Sequence, residues 1–427
     1  MARKVLLSFL GATEYKQCVY YTPTQDSGVV RFVQEALCDI VCKKWSKEDK
    51  VFIFLTDDAN QKNWLGGLYG GKGLQKQLEY LDLPCDIKPV LGFKEGIGEE
   101  QIWGNFKIIF DALENDDEVW LDITNSFRSI PIFAAVLMSY AKFLKNIKSK
   151  SVFYGAFEAI GVPAHKVDQE IPEPLNRRAP ILDLTSLIEL QDWTISAEQF
   201  INFGNAKQLA LSMENVGKKD LSENIVNICK DIAAVRSIAI FEGQDMNNVD
   251  NSITSLTEGK FNPLIPILNR VKDKIKGFQQ QNILNGFVAV EWCIEHGLTQ
   301  QGITLLSESI QTYVLNYLNE DWKNKDLRTL VSFFLTQKTF QKVETKINND
   351  KNDDNLTKQA KLNLATRVFQ LSFKTDLTKQ VYTPLSQGAR NDINHAGIRD
   401  NPKSADELSL DLDKYYKLTK TVLHVNI

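Results

Sequence analysis

A chain of 427 residues, 43% of them hydrophobic, is long enough for two or three domains with sizeable cores. Its 50 basic and 54 acidic residues leave a net charge of −4, which excludes coating of nucleic acid by bulk electrostatics but leaves room for a local basic groove. Six cysteines without a Cys-x-x-Cys pair, four histidines none of which lies near Cys38 and Cys42, and no apolar run of the ~18–20 residues that span a membrane predict a cytoplasmic protein with no metal, cofactor or membrane association.

Lys4–Leu10 is an apolar run closed by Gly11, as suits a strand buried on both faces of a parallel sheet. A loop begins at Ala12, and Val29–Trp45 carries apolar residues at helical spacing. The alternation continues through a strand at Lys50–Thr56, a helix near Leu74–Leu81, a strand near Asp86–Val90, a helix over Glu99–Leu113 and a strand at Glu118–Asp122. A helix over Ile130–Ile147 and a strand at Ser151–Tyr154 follow. Such alternation predicts an α/β domain with a Rossmann-like, doubly wound parallel sheet and ligands outside the carboxyl ends of its strands.

Polar residues collect at those ends. In Asp122-Ile123-Thr124-Asn125-Ser126-Phe127-Arg128-Ser129-Ile130-Pro131 a strand runs into hydroxyls, an amide and an arginine just before a helix start, which makes an anion site. The alternative is that Ser126 or Ser129 caps the helix and Arg128 pairs with a local acid. The glycines Gly66, Gly67, Gly70, Gly71 and Gly73 do not form a phosphate loop, because Lys72 is followed by Gly73 instead of Ser or Thr; a flexible loop over the sheet edge is expected.

Three prolines in 171–180 disfavour a helix or central strand and place the first domain's exit there. Beyond it the pattern is helical: Leu182–Phe203 ending at Gly204, amphipathic segments to about Val235, a polar loop over 242–260, and Phe261–Ile275 broken by Pro263 and Pro266. No chemistry can be assigned to this middle part. Asn285–His296 and Gln301–Leu318, which holds Glu308, are apolar at helical spacing; Glu344–Lys358 is a polar, low-complexity loop; a helix over Thr383–Ala396 and another over Ser404–His424 close the chain. His165, His296 and His424 fit no constellation and are expected to be structural or surface residues.

The helix over Thr383–Ala396 carries Arg390, Asn391 and His395. Arg390 offers a permanently charged planar fork that matches phosphate geometry, and His395 can exchange a proton near neutral pH. At about 100° per residue the two sit roughly 140° apart on a straight helix. Two copies facing each other, or a helix ending at Gly397, would bring both to one point; a solvated arginine with a partly buried histidine is the alternative.

The Arg390-Asn391-x3-His395 stretch resembles the Arg-x4-6-His signature of HEPN ribonucleases, in which Asn, Asp or His often follows the arginine. Ser8-Phe9-Leu10-Gly11, the 122–131 loop, Tyr154-Gly155-Ala156-Phe157-Glu158-Ala159, Asp183-Leu184-Thr185 and Asp192-Trp193 look like the CARF sensor half of CRISPR-associated ancillary ribonucleases. The resemblance spans nearly the whole chain and is weakest from about 205 to 280. It implies a CARF domain over 1–175, a helical linker region over 176–280 and an all-α HEPN nuclease domain over 281–427. It further implies an endoribonuclease of type III CRISPR antiviral defence that cuts single-stranded RNA without metal, leaves 2′,3′-cyclic phosphates and works as a homodimer or an oligomer of dimers. Arg390, Asn391 and His395 would be catalytic, and an allosteric cyclic oligoadenylate, expected as cyclic tetra-adenylate, would contact Gly11, Thr13, Thr56, Thr124, Asn125, Ser126 and Arg128. Asn125 stands where the family commonly has histidine, which bears on cleavage of the ring by the sensor and not on binding. A non-catalytic, ligand-responsive regulator whose helical half only dimerises is the competing reading.

Overall fold

The computed structural model describes residues 2–125, 130–243, 262–398 and 400–425. They form two compact units, Met1–Glu189 and Leu190–Ile427. The first is built on a mixed, mostly parallel sheet of eight strands: β1 (Lys4–Leu10), β2 (Cys18–Tyr21), β3 (Asp26–Val30), β4 (Lys50–Leu55), β5 (Asp86–Val90), β6 (Glu118–Asp122), β7 (Lys148–Gly155) and β8 (Arg178–Asp183). Their order is β3-β2-β8-β7-β6-β1-β4-β5.

β1 pairs in parallel with β4 on one side and β6 on the other. β1 and β4 are apolar apart from their first lysines and the buried Ser8, because each face is covered. Val5, Leu7, Phe9, Phe52 and Phe54 pack with Ile109, Leu137 and Met138 of the helices Glu99–Ala112 and Ile130–Lys145. Leu6, Leu10, Val51, Ile53 and Leu55 pack on the other face with Cys38, Leu74 and Leu78.

Three parts of this unit differ from the sequence expectation. The helix expected from Val29 starts at Val33, where the Glu35 carboxylate accepts from the backbone N–H groups of Arg31 and Phe32. Val29 and Val30 instead belong to a hairpin, closed by the Thr22–Gln25 turn, whose β2 lies parallel to β8. Valines suit either periodicity, and pairing with β2 is what decides. Only the end of the proline-bearing exit is a strand: β8, from Arg178, joins β7 antiparallel, while Pro174 opens a short turn, Pro174–Asn176. Pro180 is tolerated because it faces Tyr21, the last residue of β2, while its carbonyl accepts from the Ala156 N–H at 2.9 Å. The glycine cluster is a tight turn and not a loose loop. A Cβ at Gly66 would fall 2.2 Å from the Gly73 nitrogen, and one at Gly73 2.2 Å from the Trp64 carbonyl oxygen.

The second unit is helical in all its described regular elements and has one core, running from Trp193 to Val425. Thr185–Phe203 leads into it and ends before Gly204 at φ 65°. Pro263 sits in a single tight turn, Asn262–Leu264, and Pro266 in the first turn of Ile265–Ile275, where a missing N–H costs nothing. Residues 244–261, which cover most of the expected polar loop, lie outside the described residues. The polar segment near 350 is shorter than expected: Phe340–Asn348 and Asn355–Phe369 are helices, the second capped by Asp354, whose carboxylate accepts from the Thr357 N–H at 2.7 Å. Ser404 caps the last helix, Ala405–Leu423. His296 is structural, its ring nitrogens 2.7 Å from the Trp292 carbonyl and 3.1 Å from that of Ile201.

Lys374 is 3% exposed, with its ammonium against the Gln337 carbonyl and over the Phe369 ring. Burial lowers its pKa to about 8. An unfolded lysine titrates near ~10.4. Between these values the unfolded chain holds a proton that the folded one has released, so this group makes stability rise with pH across that window. Lys374→Met should remove the rise. Denaturation midpoints of both proteins measured from about pH 7 to 10.5 should diverge; parallel curves would contradict the assignment.

Candidate functional site

In the first unit a cavity of about 350 Å³ opens where β1, β4 and β6 end. This is the point at which connections leave β1 in both directions, where open α/β sheets bind ligands. Gly11, Thr13, Thr56 and Asn125 line it, together with Tyr15, Phe93 and Glu95, which the sequence reading missed. Phe9, Phe54 and Phe93 form a ring cluster with centroids 5.3–5.8 Å apart.

The loop after β1 is held in place from two sides. The Asn63 amide donates to the carbonyls of Gly11 and Thr13 at 2.7 and 2.8 Å, and the Gly11 N–H donates to the Tyr15 hydroxyl at 2.8 Å. The Tyr15 N–H in turn donates to the Tyr69 hydroxyl of the glycine turn at 2.8 Å. Burial raises the Tyr15 pKa, so the phenol stays neutral.

Thr124 is used differently from its neighbours. Its hydroxyl donates to Asp122 at 2.5 Å and accepts from the Gly155 N–H at 2.7 Å. Asp122 is fully buried, and desolvation pushes its pKa up against the opposing bonds from Ser8 and Thr124. Thr124 thus ties β6 to β7, and the structure does not place it on the cavity lining. The Thr56 hydroxyl accepts from the Ala59 N–H at 3.2 Å, capping a short helical turn. Asn125 is the residue with unused capacity: its buried amide nitrogen has no hydrogen-bond partner among the described residues. Ser126 and Arg128 lie outside the described residues.

In the second unit, Arg390 follows two wide turns, Leu377–Tyr382 and Pro384–Ala389, whose hydrogen bonds close over five residues, and begins the short helix Arg390–Asn394. Its guanidinium donates to the buried Ser307 hydroxyl at 3.0 Å and pairs with Glu308 at 3.0 Å. Glu308 also pairs with Arg328 at 2.7 Å, and Arg328 donates to the Thr312 hydroxyl at 2.8 Å and the Trp322 carbonyl at 2.9 Å. One carboxylate between two guanidiniums leaves this trio with a net positive charge. Nearby, the fully buried Tyr382 hydroxyl meets Ser332 at 2.9 Å, and burial raises its pKa.

Asn391 and His395 are exposed. His395 is the cap after Asn394, and Ala396 and Gly397 then turn the chain with φ of 51° and 71°. Asp392, between them, is buried and accepts from the Lys403 N–H at 2.7 Å, fixing the return of the chain. The helix therefore ends short of Gly397, and the motif splits into an arginine anchored against the helix Thr299–Tyr317 and an exposed amide and histidine. Sequence reading placed Glu308 on a helix but gave it no partner. Ser307 and Arg328 carried no signal at all, because only folding brings residues 83 positions apart into contact.

Residues 189–280 match the family described as CRISPR-associated protein MJ1674, second domain. Over 222 residues, 51% of this chain, it is 27% identical to CRISPR-associated protein MJ1674 of Methanocaldococcus jannaschii. The chain is related to a CRISPR-associated protein. The match covers 32% of the relative, so this chain spans about a third of that protein's length. The family match falls on the segment to which the residues alone assigned no chemistry. No helix among the described residues is long and apolar enough to cross a membrane.

Proposed function

We propose that this chain is an endonuclease for single-stranded RNA, switched on by a cyclic oligoadenylate in type III CRISPR antiviral defence. The observation that carries the reading is the setting of Arg390, whose fork is oriented by Ser307 and Glu308 on a short helix that exposes Asn391 and ends at exposed His395. The relative's CRISPR association supports the biological setting.

In the proposed reaction a ribose 2′-hydroxyl attacks the adjacent phosphorus, and the bond from phosphorus to the 5′-oxygen breaks. The proton leaves the 2′-oxygen, another reaches the departing 5′-oxygen, and the products are a 2′,3′-cyclic phosphate and a 5′-hydroxyl. Arg390 stabilises charge on the phosphoryl oxygens, His395 moves a proton and Asn391 orients the phosphate. Two chains supply the paired motifs. The cavity at Gly11, Thr13, Thr56 and Asn125 takes the activator, with Ser126 and Arg128 from the same loop and Thr124 holding that loop to β7. A non-catalytic regulator would also suit an arginine already engaged by Ser307 and Glu308; the exposed His395 favours the enzyme.

A fluorogenic single-stranded RNA, assayed with and without cyclic tetra-adenylate in excess chelator, tests this reading. Cleavage should need the activator, survive the chelator and leave cyclic phosphate ends. Activity lost on chelation and restored by a divalent ion would overturn the mechanism, and equal rates without the activator would overturn the switch.

A further inference from the structure

A second cavity, of about 610 Å³, lies in the helical unit and is lined by Glu308 and Arg328 of the Arg390 network. Its other lining residues include Trp322, Phe241, Arg236 and Lys323. A neighbouring hollow of about 330 Å³ shares Phe241, Trp322 and Lys323, so the indole stands between two spaces. We propose that this groove takes a nucleotide of single-stranded RNA adjoining the scissile phosphate, with its base stacked on Trp322 and its phosphate drawn to Arg236 and the arginines bridged by Glu308. The proposal rests on Arg390 being the nuclease arginine.

Hydrogen bonds and ion pairs link the backbone of Trp322 to that arginine. Arg328 donates to the Trp322 carbonyl at 2.9 Å and pairs with Glu308, and Glu308 pairs with Arg390. A base on Trp322 would thus be registered against the motif through two side chains. Buried Phe241 meets the indole nearly perpendicular at 5.5 Å and fixes its plane, and the Lys323 ammonium lies over the ring, 5.2 Å from its centroid, on the face a stacked base would share or displace it from. A fixed indole with a cation beside it is a platform for any base, because every base has a π-face.

Charge points to an anionic guest. Arg236, Lys323 and Arg328 on the lining are matched in number by Asp231, Glu242 and Glu308. Glu242 is taken up by Lys323, and Glu308 is shared with Arg390 as well, so the lining residues together with Arg390 carry one excess positive charge. Arg236 is exposed. Aromatic and basic groups in a cavity of this volume suit a nucleotide better than an apolar peptide.

The test uses full-length protein carrying His395→Ala, which keeps Arg390, so that RNA is bound without being cut, and a short fluorescent single-stranded RNA. Trp322→Ala should weaken binding roughly 5- to 150-fold, the range for loss of one base–aromatic stack, and Trp322→Phe should recover most of it. Arg236→Glu should weaken binding and flatten its salt dependence. With His395 intact, Trp322→Ala should raise KM with little change in kcat. Should Trp322→Ala fail to fold, Arg236→Glu and photocross-linking of 4-thiouridine RNA to the Trp322 peptide decide. If wild type cuts RNA while Trp322→Ala and Arg236→Glu bind it normally, or the cross-link maps elsewhere, the groove is not a base site and the nuclease reading stands. If wild type neither binds nor cuts RNA, both fall.

Discussion

Arg390→Ala should abolish RNA cleavage at saturating activator, lowering kcat by roughly 100- to 1,000-fold, the loss typical when a group facing developing charge is removed. His395→Ala should act similarly, within the ~100- to 10,000-fold range of a lost proton-transfer group. The fold should survive the first change. Glu308 loses its pair with Arg390 but keeps the one with Arg328, and the Ser307 hydroxyl loses one bond, at about 1 kcal/mol. Activator binding, measured by calorimetry, should stay at the wild-type value. Mixing the Arg390→Ala chain into wild type should depress activity below simple dilution, since each mixed dimer lacks one arginine of a shared cleft. Turnover near the wild-type rate in either variant would remove the catalytic assignment, and activity that follows plain dilution would remove the shared cleft.

Changes at the proposed activator cavity should do the reverse. A side chain at Gly11 would put its Cβ 2.9 Å from the Tyr15 hydroxyl and 3.8 Å from the Asn125 carbonyl oxygen. Gly11→Val should therefore displace Tyr15 and enter the cavity, costing activator binding about 1–3 kcal/mol, the usual cost of overpacking, or roughly 5- to 150-fold. Asn125→Ala removes a buried donor with no partner among the described residues and should cost a similar amount. An effector acts only through its different affinity for the resting and active states, so both variants should need more activator yet approach the wild-type rate at saturation. Calorimetric affinities that match wild type in both variants would place the activator somewhere else.

The central strands were legible because burial on both faces writes a continuous apolar run, as in Lys4–Leu10 and Lys50–Leu55. The cavity at Gly11, Thr13, Thr56 and Asn125 followed from the same signal, since strand ends locate the loops that surround a ligand. What periodicity could not supply was partnership. Val29 and Val30 read as helical until β2 is present to pair with them, and Pro180 reads as a break until its place opposite the end of β2 is known. The Glu308 bridge between Arg328 and Arg390 joins three separate helices and leaves no local trace. Tyr15 and Asn63 were missed for a related reason: their work is to hold backbone groups of the loop after β1, a role that no spacing rule encodes.

The wide turns at Leu377–Tyr382 and Pro384–Ala389 set the aim of everything after them. A helix of ordinary pitch advances about 100° per residue, so deleting one residue between Tyr382 and Arg390 would keep every motif letter while swinging the guanidinium about a quarter-turn from Ser307 and Glu308. Two chains with the same Arg-x4-His spelling can therefore differ in whether the arginine is clamped, and the count of residues in the preceding turns tells them apart where the motif does not.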